Sequence, residues 1–374
     1  MKLAILTQIP KRNYGCILQN FALQTVLERA GHRVVTLDYT ANSLKKALII
    51  NSYAIAAYII KHLVFHPTRR YNQLPWRNQY SQMNRFIKKH LHILKSRHGL
   101  NDETVMLFNL DGVVVGSDQV WRPCYNKMSL PWMFCSFLND GSQLPMVAYA
   151  ASFGVGEWEY TPEQTEMARC NIKRFKAVSV REASGVELCR KHLGAEAVHV
   201  LDPTLLLDRA DYMALVPKNT LARVPEGCVG VYILDLTERK KAIVDAVCRI
   251  LGKRAVYFGC PAEGSDKYPS VESWLAHFER SSFIITDSFH GTAFSINFRR
   301  PFISIANQAR GADRFTSLLN SVGLQERLIS EDGTMSALGA LARRSIDWGA
   351  VNNRLNQLRK HSMEFLEGAL LKPQ

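Results

Sequence analysis

The chain has 374 residues, of which 47% are apolar, and 47 basic against 33 acidic residues give a formal net charge of +14. This length favours two domains, and the apolar content argues against a disordered protein. The positive charge indicates an anionic partner, for which nucleic acid, an acidic membrane surface and phosphorylated small molecules are candidates. The eight cysteines include no CxxC pair, so we expect free thiols in a reducing, cytoplasmic compartment.

The first predicted elements form a strand–helix–strand unit. The strands are "KLAILT" and "HRVVTLDY", and the helix between them is "CILQNFALQTVLERAG". This order predicts a parallel sheet, and a chain that begins with a strand predicts no signal peptide. The turn before the helix contains Asn13 and Gly15. A glycine there would let a ligand approach the helix N-terminus, although a tight turn without a ligand is equally consistent with the pattern.

Residues from about 40 to 105 are predicted to be a basic, mainly helical insertion. Its apolar segment Ala47–His66 is interrupted by polar residues and falls short of the ~20 apolar residues that a spanning helix needs. A core helix and an interfacial helix on an anionic bilayer are both consistent with it. No acidic residue occurs between Lys45 and Lys89, which favours a peripheral contact with the inner face of the cytoplasmic membrane.

Strand and helix patterns continue to alternate, and the polar stretch Asp208–Gly227 interrupts them. We predict an α/β fold with two doubly wound, Rossmann-like domains that face each other across a cleft. The expected division is an N-terminal domain over 1–208, a C-terminal domain over 209–345 and a terminal helix over 346–374. Ligands of such sheets bind outside the carboxyl ends of the strands.

Four clusters of polar residues follow predicted strands and are expected to face this cleft. They are Asn13, Tyr14 and Gly15; Gly116, Ser117, Asp118, Gln119, Trp121 and Arg122; Ser152 and Phe153 with Arg181, Glu182 and Ser184; and Asp287 to Gly291 with Arg310 and Arg314. Each cluster has a simpler explanation. The serines suit helix caps, Arg181 and Glu182 suit a surface ion pair, and a lone His290 suits a buried, hydrogen-bonded histidine.

The sequence contains no HExxH, GxSxG or Walker motif, which leaves metalloprotease, hydrolase-elbow and P-loop functions without support. The residues in the four clusters predict an anion-binding cleft. Arginine suits bidentate recognition of phosphate and carboxylate, and histidine exchanges a proton near neutral pH.

Several motifs in order resemble the polysaccharide pyruvyl transferase family. They are "NYGCILQNFALQTVL", "VVVGSDQVWRP", "VAYAASFG", "SVREASG", "VLDPTLLL" and "ITDSFHGTAFSINFRRPFISI". The resemblance spans about Lys2 to Leu328, with a poor match over the basic insertion. It implies a two-domain, GT-B-like enzyme that takes pyruvate from phosphoenolpyruvate and attaches it as a ketal to two hydroxyls of a sugar in a surface or capsular polysaccharide precursor.

The resemblance also implies roles for residues. Ketal formation needs a general acid, for which His290 matches the family's histidine, and a base, to which we assign Asp118. Some members have Arg-Xaa-His where this chain has Ser288, so other arginines must meet the donor's charge. The expected donor site is Arg181, Ser288, His290, Gly291, Arg310 and Arg314. The expected acceptor site is Asn13, Tyr14, Gly15, Ser117, Asp118, Gln119, Trp121 and Ser152. We expect no metal and no cofactor other than phosphoenolpyruvate as donor substrate.

Two other functions fit parts of the sequence. A GT-B glycosyltransferase with a nucleotide-sugar donor would need a carboxylate for a ribose, and Glu263, Asp266 and Glu272 are candidates. A nucleic-acid binder would suit the net charge, but no RRM, KH, zinc-finger or helix-turn-helix signature supports it. We therefore expect no nucleic acid, and we expect a sugar acceptor that is carried by a lipid.

Overall fold

The computed structural model describes residues 1–39, 79–95, 100–307, 311–333 and 337–371. The apolar segment Ala47–His66 and Arg310 lie outside these residues. The strands are β1 (Lys2–Leu6), β2 (Arg33–Asp38), β3 (Ile93–Lys95), β4 (Gly112–Gly116), β5 (Met146–Ala151), β6 (Ala177–Val180), β7 (Val198–His199), β8 (Val229–Tyr232), β9 (Ala255–Tyr257), β10 (Phe283–Thr286), β11 (Phe302–Ile305) and β12 (Leu328–Ile329).

Helices connect most of these strands, as the alternating pattern predicts. The α-helices are α1 (Tyr14–Arg29), α2 (Ser81–His90), α3 (Asp102–Leu107), α4 (Leu130–Met133), α5 (Pro162–Ile172), α6 (Ala183–Leu188), α7 (Arg209–Met213), α8 (Lys218–Ala222), α9 (Glu238–Leu251), α10 (Val271–Arg280), α11 (Phe289–Asn297), α12 (Asp313–Val322), α13 (Ala337–Arg343) and α14 (Trp348–Leu370). Within these residues, no helix combines the length and the apolar character that crossing a bilayer requires.

The first sheet has the strand order β3-β2-β1-β4-β5-β6-β7, and its neighbouring strands pair in parallel. The second sheet has the order β12-β11-β10-β8-β9 and is also parallel. These orders correspond to the two common doubly wound arrangements, so the prediction of two Rossmann-like domains is confirmed. The domain boundary near residue 208 stays a prediction.

The chain order reverses between β1 and β4 in the first sheet and between β8 and β10 in the second. Ligands of doubly wound folds bind at such switch points, outside the carboxyl ends of the strands. The loops that follow these four strands therefore define where a site is expected.

The segment expected to be a helical insertion also contributes to the first sheet. β3 pairs with β2, with Thr36 opposite Ile93, and so becomes an edge strand. The sequence did not predict this strand because three residues, "ILK", are too few to show a two-residue period.

The terminal helix α14 returns to the first half of the chain. Ser362 accepts a hydrogen bond from the backbone of Leu201 at 3.0 Å, and Arg359 donates one to the carbonyl of Leu205 at 2.6 Å. α14 thus packs against the segment that follows β7 and precedes the second sheet. These contacts stabilise the junction between the two halves.

Candidate active site

The turn from β10 into α11 holds the motif "DSFHG". Ser288 is the N-cap of α11, and its hydroxyl accepts a hydrogen bond from the backbone of Gly291 at 3.4 Å. A side chain at Gly291 would meet Thr286, because its Cβ would lie 2.1 Å from the threonine hydroxyl. Both residues therefore shape the turn that presents His290, and this is the simpler explanation that the sequence allowed for Ser288.

His290 of the second half contacts the N-terminus of α1 in the first half. A Cβ on Gly15 would lie 2.0 Å from Nδ1 of the imidazole, far inside van der Waals contact. Gly15 thus leaves space for a catalytic candidate rather than for a ligand. Nδ1 faces the glycine, and Nε2 is buried without a hydrogen-bond partner among the described residues.

Asp202 is the carboxylate next to His290, at 3.7 Å between Oδ2 and Nε2. The same oxygen accepts hydrogen bonds from Ser117 at 3.0 Å and from Arg181 at 2.8 Å. The other oxygen accepts two from Thr204. Burial alone would raise the pKa of Asp202, but the interactions with His290 and Arg181 hold it well below its usual range. Asp202 is therefore an anion that orients His290 and Arg181.

Arg181 lies between two carboxylates. Its guanidinium bonds Asp202 on one side, and its second amino group lies 3.7 Å from Asp118. Burial works against its charge, but Asp202 and Asp118 more than offset this and raise its pKa. Nε and Nη2 of this buried side chain have no hydrogen-bond partner among the described residues. A fully buried arginine with two unused donors is suited to receive an anionic ligand.

Arg314 brings a second positive charge to the same place from α12. The guanidinium carbons of Arg181 and Arg314 lie 4.7 and 5.5 Å from the centre of the Phe289 ring. Burial, together with the positive charge of Arg181, lowers the pKa of Arg314 to about 10. Two buried guanidinium groups on one ring repel each other, and an anion between them would relieve that repulsion.

The loop after β4 supplies Asp118 in a left-handed conformation, with φ of 69°. Its carboxylate accepts a hydrogen bond from the backbone of Gln119 at 2.9 Å. Ser152 holds this loop through its backbone, which donates to the carbonyl of Asp118 at 3.2 Å. Ser152 follows a bulge in β5, where Ala150 also has a positive φ of 49°. Bulges of this kind often lie beside active sites and redirect the chain.

A cavity of about 100 Å³ lies where both switch points meet. Its lining is polar and comes from both halves: Gln8, Asn13, Asp118, Gln119, Tyr125, Leu234, Asp287, Ser288, Phe289, His290 and Arg314. A larger cavity of about 440 Å³ opens beyond β2 and β3 and has Lys11, Asp38 and Lys88 in its wall. The smaller one contains the histidine and the arginine, so we take it as the candidate active site.

Several residues that were predicted to line the site lie elsewhere in the structure. Tyr14 is buried between the halves, where it stacks on Trp274 and donates a hydrogen bond to the carbonyl of Pro269. Trp121 is fully buried and stacks on Phe134 in the core of the first domain. Neither side chain lines the cavity, because both aromatic rings are used in packing. Ser117 contributes to the site by donating a hydrogen bond to Asp202. Ser152 contributes through its backbone hydrogen bond to the carbonyl of Asp118.

Asp287 lines the cavity and also organises the second switch point. It accepts hydrogen bonds from Lys240 at 2.8 Å and from the backbone of Leu234 and Asp235 at 2.6 and 3.2 Å. Lys240 and Asp287 are both buried, and together they fix the loop after β8. Among the described residues, no group of three or more His, Cys, Asp or Glu side chains is placed to hold a metal ion.

Asp202 and Lys240 are two buried charged residues near the site that the sequence analysis missed, and it also missed Gln8, Tyr125 and Leu234 of the cavity wall. Asp202 lies three residues after the end of β7, close to its strand like the other polar clusters, and this position was a usable signal. It was hidden by the adjacent proline in "VLDPTLLL", which suggested only a strand exit. Lys240 lies inside the charged run "ERKK" of α9, and nothing in that pattern distinguishes a buried lysine from exposed ones.

A family model described as "Polysaccharide pyruvyl transferase" matches residues 13–309. The UDP-GlcNAc 2-epimerase from Methanocaldococcus jannaschii has a similar structure, with a TM-score of 0.50 and 13% identity over 96% of this chain and 100% of that chain. The S. aureus MnaA–UDP co-structure has a TM-score of 0.43 and 12% identity, over 100% of this chain and 99% of that chain.

The spinosyn forosaminyltransferase SpnP has a TM-score of 0.44 and 14% identity, over 97% of this chain and 95% of that chain. No curated protein is significantly similar. At these identities the structural likeness concerns the fold alone. The family match is different in kind, since it covers most of the chain and runs from Asn13 through His290. The chain belongs to the polysaccharide pyruvyl transferase family.

Proposed function

We propose that this enzyme transfers the pyruvyl group of phosphoenolpyruvate to two hydroxyls of one sugar in a polysaccharide precursor, which forms a cyclic ketal and releases phosphate. One observation carries the proposal. Arg314, His290 and Asp118 line a cavity where both switch points meet. The buried Arg181 lies next to this cavity, 3.7 Å from Asp118 and on the same phenylalanine ring as Arg314. Phosphoenolpyruvate has a phosphate and a carboxylate on three carbons, and two arginines suit its charge.

His290 is the proposed acid. Nε2 donates a proton to the methylene carbon of phosphoenolpyruvate, and C2 becomes an electrophile stabilised by its oxygen. Asp202 lies 3.7 Å from this same nitrogen and orients the ring beside the donor. Gly15 leaves room for the Nδ1 side of the ring.

Asp118 is the proposed base for the acceptor. It removes the proton of the first sugar hydroxyl as that oxygen bonds to C2. Phosphate then leaves with the C2–O electron pair, and its charge is met by Arg181 and Arg314. The second hydroxyl closes the ring and loses its proton. In sum, one hydroxyl proton comes to reside in the new methyl group and the other on phosphate, so atoms and charge balance.

The size of the cavity favours a small donor. About 100 Å³ suits a molecule such as phosphoenolpyruvate, whereas larger ligands occupy pockets of roughly 300–1,000 Å³. The carboxylates that a nucleotide-sugar donor would need, Glu263, Asp266 and Glu272, are absent from the cavity wall, and the first two are exposed. The glycosyltransferase alternative is therefore less well supported.

Calorimetric titration separates the two donors. We expect phosphoenolpyruvate to bind and uridine diphosphate to bind far more weakly. Tight binding of uridine diphosphate with no heat from phosphoenolpyruvate would reverse the order of the two hypotheses.

The acceptor is proposed to be carried by a lipid, with the enzyme at the inner face of the cytoplasmic membrane. α2 supports this through a basic face on which Arg85, Lys88 and Lys89 are exposed, while Met83 and Phe86 are buried beneath them. Each basic residue close to an anionic surface contributes about 1 kcal/mol, so such a face would bind weakly and reversibly.

A further inference from the structure

The far end of α11 faces a second, unassigned cavity. It has a volume of about 400 Å³ and lies where α11, the start of α7 and the terminal helix α14 meet. Its wall contains four arginines, Arg209, Arg299, Arg300 and Arg359, and one carboxylate, Asp208. Since α11 rises ~1.5 Å per residue, this cavity lies roughly 13 Å along the helix from His290.

The positive charge in this cavity is only partly balanced. Glu279 pairs with Arg209 at 2.5 Å and with Arg300 at 3.3 Å, so one carboxylate serves two cations. Nε of Arg300 is buried without a hydrogen-bond partner in the described part of the chain. Within that same part, Arg299 and Arg359 have no carboxylate at ion-pair distance. The wall therefore has more cationic donors than the protein itself satisfies.

Arg359 is held in place by the backbone rather than by an acid. It donates to the carbonyls of Leu205 and Leu207 at 2.6 and 3.2 Å. Burial lowers its pKa, Asp208 partly opposes this, and the positive charge of Arg299 lowers the pKa further. The two guanidinium groups are thus close enough to repel each other, and an anion between them would turn that repulsion into attraction.

Arg299 occupies a position that normally belongs to glycine. The end of α11 is a Schellman motif. The backbone N–H of Arg300 donates to the carbonyl of Ser295 at 2.9 Å, and the backbone N–H of Arg299 donates to the carbonyl of Ile296 at 3.0 Å. The motif places Arg299 in the left-handed region, with φ of 53°. At the corresponding point after α9 and α12 the chain has Gly252 and Gly323.

A left-handed backbone is strained for an arginine and not for a glycine. A basic residue near a helix C-terminus is favourable in itself, but Arg300, the next residue, already provides that charge. The arginine at this strained position is better explained by a need for its side chain in the cavity.

We propose that this junction cavity binds a phosphate-bearing anion between Arg299, Arg300 and Arg359. The bound group would join α11, which carries His290, to α14 and would so stabilise the arrangement of the two halves. Arginine forks match the oxygens of phosphate, and the volume admits a phosphorylated small molecule. The proposal does not depend on the identity of the reaction in the cleft.

Titration with inorganic pyrophosphate tests the site. All proteins carry Arg314→Ala, so that binding in the cleft is weakened throughout. Arg299→Gly removes one guanidinium group, and we expect it to weaken pyrophosphate binding roughly ten- to a hundredfold. It also removes the strain of a left-handed arginine, so we expect the melting temperature without ligand to rise. Arg12→Gly is the matched control, because Arg12 also has a left-handed φ, of 61°, and does not line this cavity. It should keep the affinity.

Three outcomes would overturn the proposal: equal affinity in the Arg299→Gly and control proteins, no binding at millimolar pyrophosphate, or a ligand-free melting temperature that does not rise in Arg299→Gly. A lipid headgroup and a soluble phosphate share the same chemistry. Flotation with phosphatidylglycerol vesicles distinguishes them, since only a headgroup site would make flotation depend on Arg299.

Discussion

Gly15 and His290 form a contact across the two halves, in which the missing side chain of the glycine leaves room for the imidazole. A Cβ at Gly15 would lie 2.0 Å from Nδ1 and 2.4 Å from Cγ of that ring. The contact couples the proposed acid of the second domain to the first helix of the first. In the proposed mechanism, the relative position of the halves therefore becomes part of the catalytic geometry.

Gly15→Ala is the direct test of this contact. We expect it to destabilise the fold by about 1–3 kcal/mol, since overpacking forces the ring or the halves to move, and to reduce kcat roughly a hundredfold or more through misplacement of the acid. Chemical denaturation and initial rates measure the two effects. Gly141→Ala is the matched control, because nothing lies within 4 Å of its Cβ position.

A double-mutant cycle then identifies the cause. In a His290→Ala background, Gly15→Ala should destabilise much less, since the ring that it meets is gone. Equal destabilisation in both backgrounds would mean that Gly15 is required for the backbone of the turn and not for contact with the imidazole of His290.

Asp202→Asn should change how stability depends on pH. The pKa of Asp202 is depressed in the folded protein, so its stabilising contribution is present above the unfolded value near 4 and is lost as the pH falls below it. Melting temperatures of the wild type should therefore fall below about pH 4, and this fall should be shallower in the variant. The variant should also lose kcat with little change in KM for the donor. Parallel pH curves for the two proteins would contradict the assignment of Asp202 as an ionised partner.

Arg314→Ala should affect mainly donor binding, whereas Arg181→Met should also affect stability. Arg314 faces Phe289 and the cavity, and losing it should weaken phosphoenolpyruvate binding by roughly 1.5–3 kcal/mol while the fold survives. Arg181 separates two buried carboxylates, so its loss should also destabilise the protein by about 3–5 kcal/mol. Calorimetry and denaturation give both quantities. Arg190→Ala, at an exposed pair with Glu187, is the control for removing an arginine. If Arg314→Ala binds the donor as tightly as this control, the donor site lies elsewhere.

Vesicle flotation tests the membrane contact. Changing Arg85, Lys88 and Lys89 to glutamate should abolish flotation with anionic vesicles, and binding of the wild type should fall as salt rises. Changing the exposed Lys191, Lys218 and Arg254 instead makes the same change in net charge elsewhere and should leave most of the binding. A wild type that stays unbound at low salt would remove the membrane proposal and leave the transferase unaffected.

The sequence was sufficient for the fold because apolar strands and amphipathic helices alternate over most of the chain. It missed β3, since three residues of a basic segment carry no usable period, and it did not specify which strands become neighbours at the switch points. For the site, "DSFHG" and "GSDQ" end buried strands and were therefore visible. The partner of Gly15 was not, because a close approach between distant segments leaves no pattern along the chain.

Two aromatic residues that were predicted to bind the acceptor also show that a sequence pattern does not reveal contacts between distant segments. Tyr14 and Trp121 stand next to true cavity residues in sequence, yet their rings pack into an interdomain stack and a core. Neighbouring residues on a helix or a tight loop point in different directions, so adjacency in a motif does not give a shared environment. Asp202 shows the converse, since it comes from a separate strand and meets His290 only in the folded protein.

In the proposed reaction, His290 is the acid that drives pyruvyl transfer from phosphoenolpyruvate to a sugar. The most direct measurement is phosphate release from phosphoenolpyruvate with a panel of galactosides, mannosides and amino sugars, for the wild type and for His290→Ala. We predict release that requires one class of acceptor, equals the ketal formed, and falls by about 10²–10⁴-fold in the variant. Release that is independent of any acceptor, or that is unchanged in His290→Ala, would contradict it.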